Sequence, residues 1–231
     1  MCNFACNYSI GQSVLDYIMK DNLPTHTIVT IGRSFGAGGR ELGQRLAERL
    51  GFAYYDKQLL TEAAARSGLY PGLFEENDER APGFLSGLQP MSMGMNYYAW
   101  YNGPKGAGSE SVYAAQADFI REIASQGPCV IVGRTADYVL RDYPGTVNVF
   151  LHAPEEACLD RITSRGDCDS REKARAILRK TNRLRSEFYN FYTDKTWGAT
   201  ESYDITIDSS RLSPAAAVDV IEAYINSRTK K

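Results

Sequence analysis

The sequence has no long apolar run and no large excess of charge of either sign. None of its apolar stretches approaches the roughly 18 residues that a membrane-spanning helix needs, and its first residues lack the basic segment of a secretion signal. Its 26 Lys and Arg residues face 28 Asp and Glu residues, which gives a net charge of -2. A general nucleic-acid binder needs a surplus of basic residues on one surface. We therefore expect a cytoplasmic protein that neither spans a membrane nor binds nucleic acid.

Histidine and cysteine are also scarce. The two histidines, His26 and His152, lie in unrelated segments, and the five cysteines are odd in number and widely scattered. Such a distribution fits reduced thiols better than a disulfide framework. Cys2 and Cys6 have the separation of one helical turn, but no second cysteine pair has the spacing of a zinc site. The sequence thus predicts no protein-bound metal centre.

Short apolar runs alternate with helix-length segments along most of the chain. A polar break at residues 21–24 separates an N-terminal extension, residues 1–24, from a single domain over residues 25–231. Strands are predicted at residues 27–31, 52–55, 129–133, 147–151 and 203–208, and helices at 41–50, 58–66, 112–126, 154–162, 170–192 and 214–226. This alternation predicts an α/β fold with a parallel sheet covered by helices on both faces.

One segment, about residues 70–111, has a different composition. It is rich in Gly, Pro, Met, Ser and aromatic residues, and it is too long for a plain connector in a compact domain. We interpret it as a functional insertion. Its aromatic cluster at residues 97–101 could stack on a nucleotide base, or it could cover the core of the insertion or make a subunit contact.

The strongest local signal is the glycine-rich segment Gly32–Glu41, GRSFGAGGRE, between a predicted strand and a predicted helix. Glycines let successive backbone N–H groups converge on an anion, and a helix N-terminus adds partial positive charge, so phosphate is the natural ligand. A strict phosphate loop reads G-x-x-x-x-G-K-[ST], but Gly39 stands where lysine is expected and the magnesium-binding hydroxyl is missing. Arg40, at the helix start, is predicted to reach the donor phosphates and to replace the lysine at least partly.

Two other interpretations of this loop stay open. Asp56 lies twenty residues after Gly36, where a dinucleotide-binding fold carries its ribose-binding acid. Against an NAD-type site, Glu41 occupies the position of the third glycine, and the loop is longer than a Rossmann turn. A glycine-rich turn without any ligand is the other alternative. The loop length favours a nucleoside triphosphate.

Basic residues are concentrated in one stretch of this slightly acidic chain. Between Arg161 and Arg185, nine Lys or Arg residues face three acids. Arg175, Arg179 and Arg183 recur every four residues, which predicts a stripe along one helix face. Such a stripe could close over a triphosphate and neutralise the charge of a transferring phosphoryl group, so Arg179 and Arg183 are candidate catalytic residues. A solvated charged face is the alternative.

The segment 27–56, which contains SFGAGGRELGQRLAERLGFAYYD, resembles the opening of the cytidylate kinase-like family, relatives of the nucleoside monophosphate kinases. The resemblance continues in CVIVGR at residues 129–134, in VFLHAPEE at 149–156 with Arg161, and in YDITIDSS at 203–210. It covers about residues 27–225. The resemblance implies a P-loop kinase fold, a three-layer α/β/α arrangement with a parallel sheet, an acceptor-binding insertion at about 70–111 and an Arg-rich lid at about 163–195.

The resemblance also implies ligands and roles. ATP with Mg²⁺ would donate a phosphoryl group to a nucleoside monophosphate, CMP or dCMP first, and the donor site would comprise Gly36, Ala37, Gly38, Gly39, Arg40, Glu41 and Arg161. Asp56 and Lys57 would belong to the acceptor side, and Arg134 would bind the acceptor phosphate. Cytidylate kinases carry an Asp directly after that Arg, whereas this chain has Thr135, with Asp137 two residues later. A nucleotide-binding protein without kinase activity and a kinase of another small molecule are the alternatives.

Overall fold

The protein is described here by a computed structural model that covers residues 26–56 and 108–228, with the backbone alone for residues 108–112 and 115. Several predictions lie outside these residues. They concern the N-terminal extension 1–24, the helix at 58–66, the insertion up to residue 107 with its aromatic cluster, and Lys57. No helix within the described ranges is long and apolar enough to cross a membrane.

The described chain contains five strands and six helices. The strands are β1 Ile28–Arg33, β2 Ala53–Tyr55, β3 Cys129–Val132, β4 Thr146–His152 and β5 Ile205–Asp208. The helices are α1 Gly39–Leu50, α2 Gly108–Gln126, α3 Ala136–Val139, α4 Glu155–Ser164, α5 Arg171–Tyr192 and α6 Pro214–Arg228, and a short 3₁₀ helix spans Thr200–Ser202.

The strands form one parallel sheet in the order β2-β3-β1-β4-β5. In the register of the central strand, Ile28 lies opposite Cys129 of β3 and Thr146 of β4. All four residues from Ile28 to Ile31 are buried, as expected for a strand with neighbours on both sides and helices on both faces. The predicted α/β class with a parallel sheet is confirmed, and the carboxyl ends of β1, β3 and β4 meet at one edge.

Alternate residues of β1 face two different apolar clusters. Val29 and Ile31 pack in a core with residues of α1 and α6, whereas Ile28 packs with α2 and α3. This alternation follows from the two-residue period of a strand. Helices therefore cover both faces of the sheet, which confirms the predicted three layers.

The structure differs from the sequence-based expectation at two helices. Helix α2 begins at Gly108, so its first turn overlaps the end of the predicted insertion. Helix α3 was not predicted, because a single turn of four residues is too short to show a helical period. It begins directly after a left-handed turn at the end of β3.

Helix α1 packs closely against the sheet at Gly43. A Cβ atom at this position would lie 2.9 Å from Cγ2 of Val132 and 3.0 Å from Cε2 of Tyr54. Both neighbours belong to strands, so neither can move away without disturbing the sheet. The close approach fixes the start of α1 against the strands.

We expect Gly43→Val to lower the free energy of unfolding by about 1–3 kcal/mol more than Gln44→Val, because the side chain at residue 43 overfills a packed interface. Gln44 lies exposed on the same helix, so its substitution introduces the same β-branched side chain without the collision. Glycine is a poorer helix former than glutamine, so helix propensity alone would make Gly43→Val the milder change. Urea denaturation measures both changes. Equal losses in the two variants would contradict the packing argument.

Candidate phosphate-binding cleft

A cleft of about 480 Å³ opens at the carboxyl edge of the sheet, between the loop after β1, the turn after β3 and helix α5. Its position agrees with the general rule that open α/β sheets bind ligands beyond the carboxyl ends of their strands. Most of the predicted site residues line it, namely Gly36, Gly38, Gly39, Arg40, Glu41, Asp56, Arg134, Asp137 and Arg161. Ala37 is buried in the core beneath the loop.

The glycine loop has the backbone that its sequence predicts. Gly36 and Gly38 have φ angles of +81° and +86°, in the left-handed region that favours glycine. Gly36 also lies directly against α4, since a Cβ atom there would be 2.9 Å from Cβ of Cys158. Gly38 is the N-cap of α1 and provides no side-chain acceptor. The first backbone N–H groups of α1 have no acceptor within the helix, so they border the cleft as hydrogen-bond donors for an anion.

Side chains from α4 and α5 hold the loop in place. Nη1 of Arg161 donates a 2.8 Å hydrogen bond to the carbonyl oxygen of Gly36. The backbone N–H of Phe35 donates to Oδ1 of Asn182 at 2.7 Å, and Nη1 of Arg185 donates to the carbonyl oxygen of Arg33 at 3.0 Å. Two of these three groups come from α5. Helix α5, the basic helix, is thus attached to the glycine loop through polar contacts.

Arg40, which is predicted for the donor side, contacts Asp56, which is predicted for the acceptor side. Nε of Arg40 lies 3.0 Å from Oδ2 of Asp56, which is largely buried at the end of β2. The Arg40 side chain remains about half exposed, at 48%. The predicted donor-side cation and the predicted acceptor-side acid therefore form an ion pair in the lining of the cleft.

The turn after β3 has an unusual backbone. Gly133, Arg134 and Thr135 have φ angles of +83°, +62° and +52°, and the last two are not glycine. Such residues cost about 1–3 kcal/mol each, so surrounding contacts must hold them. Oγ1 of Thr135 donates to the carbonyl oxygen of Arg134 at 2.6 Å and lies 3.1 Å from the hydroxyl of Tyr113. This strained turn places Arg134 in the cleft, where its Nη1 donates to Gln116 at 3.4 Å.

Asp137 lies buried in the wall of the cleft. It accepts a 2.6 Å hydrogen bond from the hydroxyl of Tyr189 on α5. Burial raises the pKa of the Asp137 carboxyl, although the Tyr189 hydrogen bond and the positive charge of Lys195 oppose that rise. Burial beside Asp137 likewise raises the pKa of Tyr189. The pair connects the turn after β3 to the basic helix.

The face of α5 that lines the cleft differs from the predicted arginine stripe. Ile177, Thr181, Arg185 and Phe188 line the cleft, together with Arg165 and Asp167 before the helix. Within the described part of the molecule, Arg179 and Arg183 do not line it. Arg179 pairs with Glu155 of α4 at 3.1 Å, and Arg183, with 78% of its side chain exposed, pairs with Glu187 at 2.8 Å.

The difference has a simple geometric reason. Residues 177, 181 and 185 follow residues 175, 179 and 183 by two positions, which is about 200° around a helix. The two stripes therefore lie on opposite faces, and Arg175 pairs with Glu155 and Glu156 at 2.9 Å each. In the sequence, the face that lines the cleft corresponds to the mixed stripe that ends in Arg185. Arg33 also lines the cleft, and its place in the glycine segment carries no sequence signal for that position.

Asp137→Asn should change the pH dependence of stability. A raised pKa means that the folded protein binds the Asp137 proton more tightly, so this stabilisation is complete below the ordinary Asp pKa of about 3.9 and is lost as the pH rises through the raised value. The asparagine does not titrate. The variant should therefore gain unfolding free energy relative to the native protein as the pH rises from about 4 to about 8.

Urea unfolding at several pH values measures this change. Asp142→Asn is the matched control, because Asp142 lies exposed on the loop after α3. A difference between Asp137→Asn and the native protein that stays constant over the range would contradict the buried-carboxyl argument.

Comparison with solved structures identifies similar folds. An uncharacterized protein from Eubacterium ventriosum ATCC 27560 has a TM-score of 0.65 and 26% identity, with 87% of this chain and 99% of that chain covered. A sugar kinase from Janibacter sp. HTCC2649 has a TM-score of 0.50 and 15% identity over 88% and 95% of the two chains. For shikimate kinase from Acinetobacter baumannii the TM-score is 0.49 and the identity 19%, over 93% and 99%. No curated protein matches the sequence.

The similarity to the sugar kinase shows a shared fold. The sequence itself matches a family over residues 28–211, a range that begins with β1 and ends just after β5. This range includes the glycine loop, the turn after β3 and the basic helix. The chain therefore belongs to the cytidylate kinase-like family.

Proposed function

We propose that this protein is an ATP-dependent kinase whose acceptor is a nucleoside monophosphate, with CMP and dCMP as the first candidates. Family membership and the P-loop kinase fold support phosphoryl transfer. The observation that carries the proposal is that arginines from four separate parts of the chain line the cleft beside the glycine loop. These residues are Arg33 at the end of β1, Arg134 after β3, Arg161 on α4 and Arg185 on α5.

The charge of the cleft supports a highly anionic ligand. Among the described residues, six arginines and four acids line it, although the whole chain carries a net charge of -2. Guanidinium groups and backbone N–H groups are the donors that phosphate oxygens prefer. The cleft lining therefore carries an excess of basic side chains at the place where a triphosphate and an acceptor phosphate would meet.

The donor set suits ATP better than it suits a free metal ion. No group of three or more metal-ligating side chains occurs within residues 26–56 and 108–228. Mg²⁺ usually binds through substrate phosphates with one or two carboxylates, and Asp56 is the acid at the end of β2 that could contribute. Bound with ATP, Mg²⁺ would neutralise charge on the phosphate oxygens.

Arg134 is the residue proposed to bind the acceptor phosphate. Its planar group carries five donors in a fork that matches a dianionic monophosphate, and the strained turn fixes its backbone. Thr135, which replaces the Asp of cytidylate kinases, uses its hydroxyl within the turn. Selection of the base would then fall to other residues, among which Asp137 is the nearest acid in the chain.

The proposed reaction is a direct transfer. An oxygen of the acceptor phosphate forms a bond to the γ-phosphorus of ATP, the bond from that phosphorus to the β–γ bridging oxygen breaks, and ADP leaves. No covalent enzyme intermediate forms. The protein contributes by positioning both phosphates and by stabilising the charge on the transferring group, which is the main source of catalysis in this chemistry.

A coupled ADP-release assay tests the proposal over a panel of nucleosides, nucleoside monophosphates and unrelated alcohols. We expect activity only with acceptors that carry their own phosphate, and the highest activity with pyrimidine monophosphates. Activity on an unphosphorylated alcohol, with none on CMP, dCMP or UMP, would instead indicate a kinase of another small molecule. ATP binding without turnover of any acceptor would indicate a non-catalytic nucleotide-binding protein.

Arg134→Lys should weaken acceptor binding and leave ATP binding unchanged. An ammonium group cannot reproduce the two parallel hydrogen bonds of a guanidinium group, so we expect the acceptor KM to rise by about 10-fold or more. Arg141→Lys is the matched control, since Arg141 lies exposed after α3. Steady-state kinetics with each substrate varied in turn measure the effect. An unchanged acceptor KM in Arg134→Lys would exclude this residue as the phosphate ligand.

Arg185→Ala and Arg183→Ala together decide which face of α5 acts in transfer. The helical spacing of the sequence favours Arg183, whereas the structure places Arg185 in the cleft. We expect Arg185→Ala to lower kcat by about 100-fold, because it removes a cation near the transferring group. Single-turnover kinetics with saturating ATP measure both variants. A larger loss in Arg183→Ala would reverse this assignment.

A further inference from the structure

The phosphate loop lacks its lysine, and the structure shows another basic side chain at the same place. We infer that Arg33, the last residue of β1, binds the β- and γ-phosphates of ATP in the role that a P-loop lysine has at position 39. This inference rests on the proposed function, since it names a donor ligand of the same site. Three observations carry it.

The first observation is the path of the Arg33 side chain over Gly39. A Cβ atom at Gly39 would lie 2.8 Å from Cγ of Arg33, 3.0 Å from its Cβ and 3.4 Å from its Cδ. The methylene chain of Arg33 therefore occupies the space in which a side chain at position 39 would begin. Arg33 and a lysine at residue 39 exclude each other, which accounts for glycine at the position of the missing lysine.

The second observation is the position of the Arg33 guanidinium group. A Cβ atom at Gly133 would lie 2.9 Å from Cζ of Arg33 and 3.2 Å from its Nη2. The group therefore rests against the backbone where β3 ends, next to Arg134 in sequence. Its positive charge also opposes the rise that burial causes in the pKa of the Tyr54 and Tyr203 hydroxyls. Arg33 thus spans the cleft from the loop of the donor side to the turn of the acceptor side.

The third observation concerns Arg40, the other candidate for the same role. Its Nε pairs with Asp56 at 3.0 Å, and its backbone carbonyl lies 3.5 Å from the hydroxyl of Tyr54. This ion pair holds the Arg40 charge toward the end of β2. Arg33 instead crosses directly over the first residue of α1, where the helix N–H donors lie. The donor phosphates would therefore meet Arg33 first.

Swapping the cation between the two positions tests the inference. Isothermal titration calorimetry with ATP–Mg²⁺ should show an affinity about 10- to 100-fold weaker in Arg33→Ala than in the native protein. Gly39→Lys alone should also bind more weakly, because the new side chain collides with Arg33. The double variant Arg33→Ala, Gly39→Lys should bind ATP–Mg²⁺ more tightly than Arg33→Ala, since the alanine removes Cγ and Cδ, which approach position 39 at 2.8 Å and 3.4 Å, and leaves only its Cβ at 3.0 Å. A purely structural role for Arg33 gives no reason for this rescue.

Two further variants complete the design. Arg33→Met keeps a long side chain over Gly39 without the charge, and it should bind ATP–Mg²⁺ as weakly as Arg33→Ala, which preserves the test if the alanine variant does not fold. Arg121→Ala removes an exposed arginine of α2 and should leave affinity unchanged.

Failure of the Arg33 inference can be distinguished from failure of the proposed kinase function. Native affinity in a folded Arg33 variant, a double variant no tighter than Arg33→Ala, or a larger loss in Arg40→Ala would each overturn the role of Arg33. These results leave the proposed kinase function in place. A native protein that does not bind ATP–Mg²⁺ would overturn both.

Discussion

The structure depends on the parallel pairing of β1 with β3 on one side and with β4 on the other. Because the three strands run in the same direction, their carboxyl ends meet at one edge, and each end leads into a different part of the cleft. β1 leads into the glycine loop, β3 into the turn with Arg134, and β4 into the helix with Arg161. Groups that are more than a hundred residues apart in sequence thereby line one cleft.

At the carboxyl edge of the sheet, glycines and left-handed residues let arginine side chains pack closely against the backbone. Gly39 and Gly133 leave space that Arg33 fills, and the left-handed Arg134 and Thr135 turn the chain so that Arg134 enters the cleft. Contacts from α4 and α5 hold the loop, through Arg161, Asn182 and Arg185. The basic helix is thus a structural support of the loop as well as a wall of the cleft.

Local signals predicted the sheet and the glycine loop, because strand runs such as residues 129–133 and the loop glycines have short-range causes. The sequence could not assign the cleft-facing side of α5, since Glu155 and Glu156 on another helix attract the stripe with Arg175 and Arg179. The role proposed for Arg33 could not be predicted from the sequence either. It follows from the space at Gly39 and Gly133, which only the folded backbone brings together.

A crystal structure with a non-hydrolysable ATP analogue, Mg²⁺ and CMP tests the central claim most directly, namely that the cleft holds two phosphate-bearing ligands for transfer. The account predicts that the triphosphate contacts the backbone N–H groups at the start of α1 and the guanidinium of Arg33. It also predicts that the CMP phosphate contacts Arg134, in line with the terminal phosphate of the analogue. Binding of the triphosphate away from the glycine loop, or of CMP away from Arg134, would contradict it.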